Sequence, residues 1–293
     1  MTILLFGATG MLGQALAAEA ARRKQPLIGA ARRGASVAVD ISDAVALNAC
    51  LEKFRPDLVV NAAAMTSLDA CERDPTRAYA VNARAVATMS EWCRNAAVRM
   101  VQISTDHFFT GDRDRRHGES EPICLVNEYA RTKYVGEGFA ALAPRALTLR
   151  TNVTGLRGWD GQATFFEWVM AALTKRTPLA LFEDFFTSTI DATTLAVALF
   201  DLVERDATGL FNVASSTVAS KRRFVHALAR EAGVTLDWDK PASVASLPTA
   251  RAESLGLDVA KAERLLGYRL PDLQQVAINL ISQWKDQCAT QAA

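Results

Sequence analysis

The chain has 293 residues, half of them apolar, and a formal charge of +1 at neutral pH. That length can bury one large α/β core, or a domain with a smaller partner, and the balanced charge points away from nucleic acid and acidic tails. Five scattered cysteines, none spaced as Cys-x-x-Cys, fit a reducing compartment rather than a disulfide framework, and His107, His117 and His226 show no metal-ligand spacing, so no metal is expected.

The opening apolar run, Ile3 to Phe6, is too short for a signal peptide, and no segment approaches the roughly 20 apolar residues of a membrane span. A cytoplasmic protein without a membrane partner is expected. The run leads into Gly7-Ala8-Thr9-Gly10-Met11-Leu12-Gly13 and an Ala-rich helical stretch over 14–23. Strand, glycine turn and helix together suit a nucleotide diphosphate. Gly7 allows a tight turn, Gly10 lets a pyrophosphate approach the backbone, and Gly13 lets the helix pack on the strand. Thr9, Met11 and Leu12 belong to the same turn.

A second strand over 26–31 ends in Arg32 and Arg33. An acidic residue there would bind ribose hydroxyls. Arginine suits a 2′-phosphate, so NADPH is expected, with NADH the alternative. Residues 37–40 read as a third strand and 43–54 as an amphipathic helix. A fourth strand over 58–61 enters Ala62, Ala63 and Ala64, small residues that let backbone approach a cofactor. Residues 75–97 read as one long helix, with Ala78, Val81, Ala85, Met89 and Trp92 at helical spacing. Asn82 within it is either a core amide or a cofactor contact.

A fifth strand over 98–104 ends in Ser104, Thr105 and Asp106. Ligands bind beyond the carboxyl ends of strands in open parallel sheets, so Gly7, Ala62 and Thr105 should line one crevice. The polar loop 111–121 is expected to be solvated and mobile. The helix over 127–142 puts Tyr129 and Lys133 on one face, four residues apart. An ammonium beside a phenol favours the phenolate and lowers its pKa toward acid/base use. A sixth strand spans 145–150. Helices then follow at 165–175, 191–205, 221–232, 259–266 and 273–285, with strands at 179–182 and 209–213 and a loop over 241–251. The expected fold is α/β: a Rossmann-type doubly wound parallel sheet with a smaller C-terminal α/β substrate domain. Residues 1–150 form the NADP-binding domain and 151–293 the substrate domain, with 190–213 returning to the first.

Taken in order, these motifs resemble the extended short-chain dehydrogenase/reductases, and within them the dTDP-4-dehydrorhamnose reductase group. The resemblance is carried by the Gly7–Gly13 turn, Arg55 to Ala64, Val81-Asn82-Ala83, Ser104-Thr105-Asp106 with Phe109 and Gly111, Tyr129 with Lys133, and Leu149-Arg150-Thr151. It implies that Thr105 hydrogen-bonds the sugar's 4-oxygen and Tyr129 gives that oxygen a proton. Lys133 would bind the nicotinamide ribose and lower the Tyr129 pKa. NADPH would deliver hydride to C4 of a nucleotide-linked 4-keto-6-deoxy sugar, a dTDP- or GDP-linked hexose or heptose, for polysaccharide precursors. Adenine would lie at Asp40 and Ile41, and Asn152 would serve both cofactor and sugar.

The departures fall on the sugar side. His107 and Phe108 stand where the family commonly has Tyr and Val. Asn152 and Val153 replace Ser and Trp, Met65 precedes Thr66 in place of His, and Phe186 opens a segment usually like Gly-x-Pro-Thr. Arg251, a candidate for the diphosphate, precedes Ala252 rather than Pro. The expected substrate contacts are therefore Thr66, Thr105, Asp106, His107, Phe108, Asn152, Val153, Phe186 and Arg251, in a reductase acting on a different nucleotide sugar. The alternatives are a non-catalytic NADP-binding subunit, similar to the regulatory subunit of methionine adenosyltransferase, and an epimerase or dehydratase on the same scaffold. Against the last, His107 replaces the Glu of the dehydratase pattern. Short-chain dehydrogenases commonly form homodimers through the 75–97 and 127–142 helices; nothing else in this sequence bears on it.

Overall fold

The structure, a computed structural model, describes residues 1–159 and 162–292. Its main sheet contains β1 (Ile3–Phe6), β2 (Leu27–Ala31), β3 (Val37–Ala38), β4 (Leu58–Asn61), β5 (Arg99–Ile103), β6 (Leu147–Arg150) and β7 (Gly209–Asn212). All seven are parallel, in the order β7-β6-β5-β4-β1-β2-β3. This is a Rossmann-type α/β fold. Both faces of β1 and β4 are covered, so these strands read as continuous apolar runs rather than alternating ones. The chain winds outward in both directions from β1 and β4, which opens a crevice at their carboxyl ends.

Strand alternation divides the core. Ile3 and Leu5 face one layer, where Leu12 and Leu16 of the Met11–Arg22 helix and Leu195 and Leu199 of the Ala192–Glu204 helix pack. Leu4 and Phe6 face the other, against Leu47, Leu51 and Met89. Each fully buried side chain of this size contributes about 1.5–3 kcal/mol. A third cluster joins Phe166 and Leu173 to Phe224 and Leu228 of the Lys221–Glu231 helix and to Val276 and Leu280. Beside it the short strand Phe186–Thr187 runs between Ala219–Ser220 and Ser254–Leu255.

Three segments differ from the sequence expectation. Residues 75–97 form the Pro75–Tyr79 helix, a π-helical turn Ala80–Arg84 and the Ala85–Ala96 helix. Residues 241–251 begin inside a strand, Asp239–Ala242, paired with Leu179–Phe182; Pro241 disguises it, as prolines on edge strands do. The 111–121 loop, exposed over 111–116, is tethered at both ends of that stretch. His117 is buried, donates its Nδ1–H to Gly256 O at 2.9 Å, and stacks on Phe109 at 4.1 Å between ring centres. Thr110 Oγ1 and the Gly111 N–H both donate to Glu253 at 2.6 Å. Among the described residues no helix is long and apolar enough to cross a membrane, and no group of three His, Cys, Asp or Glu could hold a metal ion.

Candidate active site

The glycine turn is built so that a side chain cannot enter it. Gly7 has φ +82°, and a Cβ there would lie 2.7 Å from Ala63 N; a Cβ on Gly13 would lie 2.0 Å from Gly7 O. The Met11–Arg22 helix starts at Gly10 without a side-chain cap. The Met11, Leu12 and Gly13 amides therefore head a helix whose N-terminus suits an anion. Thr9 lies beside Gly34, and its carbonyl accepts from Gln14 Nε2 at 3.1 Å. Arg32 and Arg33 are exposed just past β2. Burial opposes ionisation of Asp40, but its bonds from Ser42 and the charges of Arg32 and Arg77 prevail and hold its carboxyl below the usual range. Ile41 is buried in the core beneath. A cradle that a Cβ would fill, an uncapped helix and two exposed guanidiniums fit a dinucleotide carrying a 2′-phosphate.

Beyond β4, the Ala62, Ala63 and Ala64 backbone runs against Gly7 and stays half-exposed. Asn82 was expected among the cofactor contacts, yet its amide is fully engaged elsewhere. Oδ1 accepts the Met65 N–H at 2.8 Å, and Nδ2 donates to Met65 O and Thr132 Oγ1, each at 3.1 Å. It therefore acts by holding the loop after Ala64 onto the Glu128–Ala140 helix. Its place in a π-helical turn fits the habit of such turns to sit at functional sites. Gly136 of that helix approaches so closely that a Cβ would be 2.3 Å from Asn82 O.

The Glu128–Ala140 helix is capped by Asn127, which accepts the Ala130 N–H at 2.8 Å. It delivers Tyr129 and Lys133, both buried, to the end of β5, where Thr105 is buried too. Lys133 Nζ donates to Ile103 O at 2.6 Å. Burial pushes the Tyr129 phenol above its ordinary value; a hydrogen bond with Thr105 opposes this, and the Asp106 charge adds to it. The lowering expected from Lys133 is not found: burial sets the Tyr129 phenol, and the Lys133 ammonium is turned to Ile103 O. Burial also pushes Lys133 down to about 8, against the charge of Glu137.

On the sugar side the expected residues divide. Asp106 and His107 stand beside Thr105: the Thr105 hydroxyl is 3.4 Å from Asp106 Oδ1 and accepts the His107 N–H at 3.3 Å. The His107 ring meets Tyr129 edge-on at 5.5 Å. Burial, with the charges of Lys221 and Arg251, pushes His107 down to about 3, so it is neutral. Its Nδ1 and the Arg251 Nε are both buried without a hydrogen-bond partner among the described residues. Asn152 donates to Asp106 Oδ2 at 2.8 Å and accepts from Thr189 at 2.8 Å.

Phe108 does not face this space. It is fully buried in the first core, under the Arg150 guanidinium at 4.8 Å. Val153 packs against the same core, and Thr66 is exposed on the loop after Ala64. Phe185, not Phe186, lies 6.1 Å from His107; alternation turns its neighbour to the opposite face.

Lys221 was not among the expected site residues. It opens the Lys221–Glu231 helix, with Nζ 3.3 Å from Thr189 Oγ1 and about the rings of Phe165, Phe185 and Phe224 at 5.0, 5.8 and 5.8 Å. The signal available in the sequence was a run of three cations in the first turn of a helix, where the dipole disfavours positive charge.

Over residues 1–285 the sequence matches the family model described as RmlD substrate binding domain. It is 31% identical over 248 residues to the probable low-salt glycan biosynthesis reductase Agl14 of Haloferax volcanii, covering 80% of each chain. Against dTDP-4-dehydrorhamnose reductase of Escherichia coli (strain K12) it is 29% identical over 291 residues, covering 94% of this chain and 95% of that one. Among solved structures, Bacillus anthracis dTDP-4-dehydrorhamnose reductase in complex with NADP matches with a TM-score of 0.86 at 21% identity, covering 96% of this chain and 99% of that one.

Proposed function

The chain belongs to the RmlD substrate binding domain family, a group of dTDP-4-dehydrorhamnose reductase-type short-chain dehydrogenase/reductases, and we propose on that premise that it reduces the 4-keto group of a nucleotide-linked 4-keto-6-deoxy sugar with NADPH. The observation that carries the reading is the burial of Thr105, Tyr129 and Lys133 together at the carboxyl end of β5, on the crevice shared with the Gly7–Gly13 turn.

In this reading the Met11, Leu12 and Gly13 amides hold the cofactor diphosphate, and Arg32 and Arg33 hold the 2′-phosphate. Bound there, NADPH supplies the hydride. Tyr129 gives its proton to the 4-oxygen. Its burial keeps the phenol protonated at neutral pH, so it is loaded as an acid before substrate arrives. Thr105 donates a hydrogen bond to the same oxygen. Such donors are worth more in a dry site than in water, because the developing charge has no competing solvent. Lys133 adds a buried cation at the ribose side. Arg251 takes the sugar-nucleotide diphosphate, and the sugar lies between His107, Phe185 and Met65.

The similarity to dTDP-4-dehydrorhamnose reductase favours a dTDP-linked sugar, and that to the Haloferax glycan biosynthesis reductase favours a glycan precursor. The test is NADPH consumption with 4-keto-6-deoxy sugars carried on dTDP, GDP, CDP and UDP, hexose and heptose both included. Turnover with one of them is expected. Tight NADPH binding with no turnover on any member would remove the reading.

A further inference from the structure

The Thr105 hydroxyl has one proton and two lone pairs. Its oxygen accepts the His107 N–H at 3.3 Å and lies 3.4 Å from Asp106 Oδ1. Asp106 is 1% exposed, and from its other oxygen a hydrogen-bond chain continues without a break. Asn152 Nδ2 donates to Asp106 at 2.8 Å, Thr189 donates to Asn152 Oδ1 at 2.8 Å, and Lys221 donates to Thr189 at 3.3 Å.

This chain has two proton arrangements with opposite consequences. With Asp106 ionised, the single Thr105 proton is drawn to the carboxylate, and nothing remains to donate to a substrate oxygen. With Asp106 protonated on Oδ1, Asp106 donates to Thr105, and the Thr105 proton leaves the carboxylate for the side of its hydrogen-bond partner Tyr129, where the reacting oxygen would lie. A carbonyl oxygen gaining negative charge requires the second arrangement.

We propose that Asp106 sets the direction of the Thr105 hydroxyl, releasing its proton toward the reacting oxygen only when Asp106 is itself protonated, and that Lys221 is the positioning residue that governs this protonation through Thr189 and Asn152. The catalytic consequence rests on the reductase reading above; the link between Lys221 and Asp106 does not.

The groups around Asp106 allow the switch. Burial pushes its carboxyl up, while the Asn152 hydrogen bond and the Lys221 charge oppose. Burial pushes Lys221 down, with Asp106 opposing. From its own loop, His107 Nε2 lies 4.0 Å from Asp106 Oδ1 and is neutral. From the Glu128–Ala140 helix, Tyr129 is protonated and Lys133 is turned to Ile103 O. The Arg251 charge acts on the His107 ring. Lys221 is thus the cation that restrains Asp106 from a still higher pKa.

The direct test is a pH titration of carbon-13-labelled aspartate carboxyls by NMR, with the Asp106 signal assigned by its loss in Asp106→Asn. The Asp106 midpoint is expected well above the ordinary value of about 4. Lys221→Met should carry it about one pH unit or more higher, and Lys221→Arg should return it toward the natural position; Lys221→Gln replaces the Met variant if that one does not fold. An ordinary midpoint, or one that loss of the Lys221 charge leaves in place, overturns the proposal without any turnover being needed.

The second test is the pH profile of kcat for NADPH oxidation with dTDP-4-dehydrorhamnose. The rate should fall as pH rises through the Asp106 midpoint, and Lys221→Met should move that fall upward by the same interval. Asp106→Asn, whose amide can donate toward Thr105 at every pH, should flatten the profile at whatever rate it retains. Identical profiles in all three proteins overturn the proposal. Absence of turnover on any nucleotide sugar counts against the reductase reading instead, and the carboxyl titration then decides the Asp106–Lys221 link alone.

Discussion

Lys133 donates its ammonium to the Ile103 carbonyl at 2.6 Å, one turn along the helix from Tyr129. The helix therefore anchors a cation at the end of β5 while Tyr129 keeps its proton. Substituting Tyr129→Phe removes only that proton and its oxygen. Turnover is expected to fall about 10²- to 10⁴-fold, the usual worth of a positioned acid, with NADPH affinity nearly unchanged. Steady-state rates and a fluorescence titration of NADPH check the two halves separately, and a fully active variant would contradict the assignment.

The buried Lys133 ammonium should leave a mark on stability. Its pKa falls from 10.5 to about 8 on folding. Between those values the folded protein binds fewer protons than the unfolded chain, so this residue's contribution to stability rises with pH across that window. The cost of the charged form at pH 7 is on the order of 3 kcal/mol. Urea unfolding of Lys133→Met beside the natural protein should show a relative advantage for the variant at pH 7 that shrinks by about this amount by pH 10.5. A difference independent of pH would show that Lys133 titrates normally.

Arg32 and Arg33 should decide between the two nicotinamide cofactors. Replacing both by Ala is expected to weaken NADPH about tenfold to a hundredfold, as loss of a charge-assisted hydrogen bond does, and to leave NADH almost untouched. Calorimetric affinities for both cofactors measure this. An equal loss for both would assign the pair to folding rather than to the 2′-phosphate.

Gly13 tolerates no side chain. Gly13→Ala places a Cβ 2.0 Å from Gly7 O, so the turn must move. A destabilisation of about 1–3 kcal/mol is expected from the overpacking, with NADPH binding lost more severely than the melting temperature. Differential scanning calorimetry and cofactor titration on the same sample separate the two effects.

Asn82→Asp keeps the acceptor for the Met65 N–H and removes the donor to Met65 O and Thr132. A cost of about 1–3 kcal/mol is expected for the partners left unpaired. The KM for NADPH should rise more than kcat falls, because the residue holds a loop rather than touching the reacting atoms. A fall in kcat alone would point to direct contact instead.

Much of the cofactor side was legible in the sequence because its determinants are local. Gly7, Gly10 and Gly13 are fixed by backbone approach within one turn, and Tyr129 and Lys133 by helical spacing. The sugar side depends on contacts between residues far apart in the chain. Phe185 and Phe186 cannot be told apart without the register of their strand, and the same holds for His107, which faces Tyr129, and Phe108, which enters the core. Lys221 gains its meaning only where the Lys221–Glu231 helix meets Thr189 and, through it, Asn152. Asn82 was named, but its role was decided by a π-helical turn, which leaves no periodic trace in composition.

The contact of Gly136 with Asn82 O has a consequence for how the molecule handles its ligands. Asn82 also ties Met65 to Thr132, so the Glu128–Ala140 helix and the strip of backbone beside the glycine turn are tied into one jaw. Adjustment to sugars of different size then falls to the opposite jaw, the Phe185 and Lys221 wall carried by separate elements. Broader substrate range should therefore be sought by altering that wall, since loosening the fixed jaw would spoil alignment for every sugar alike.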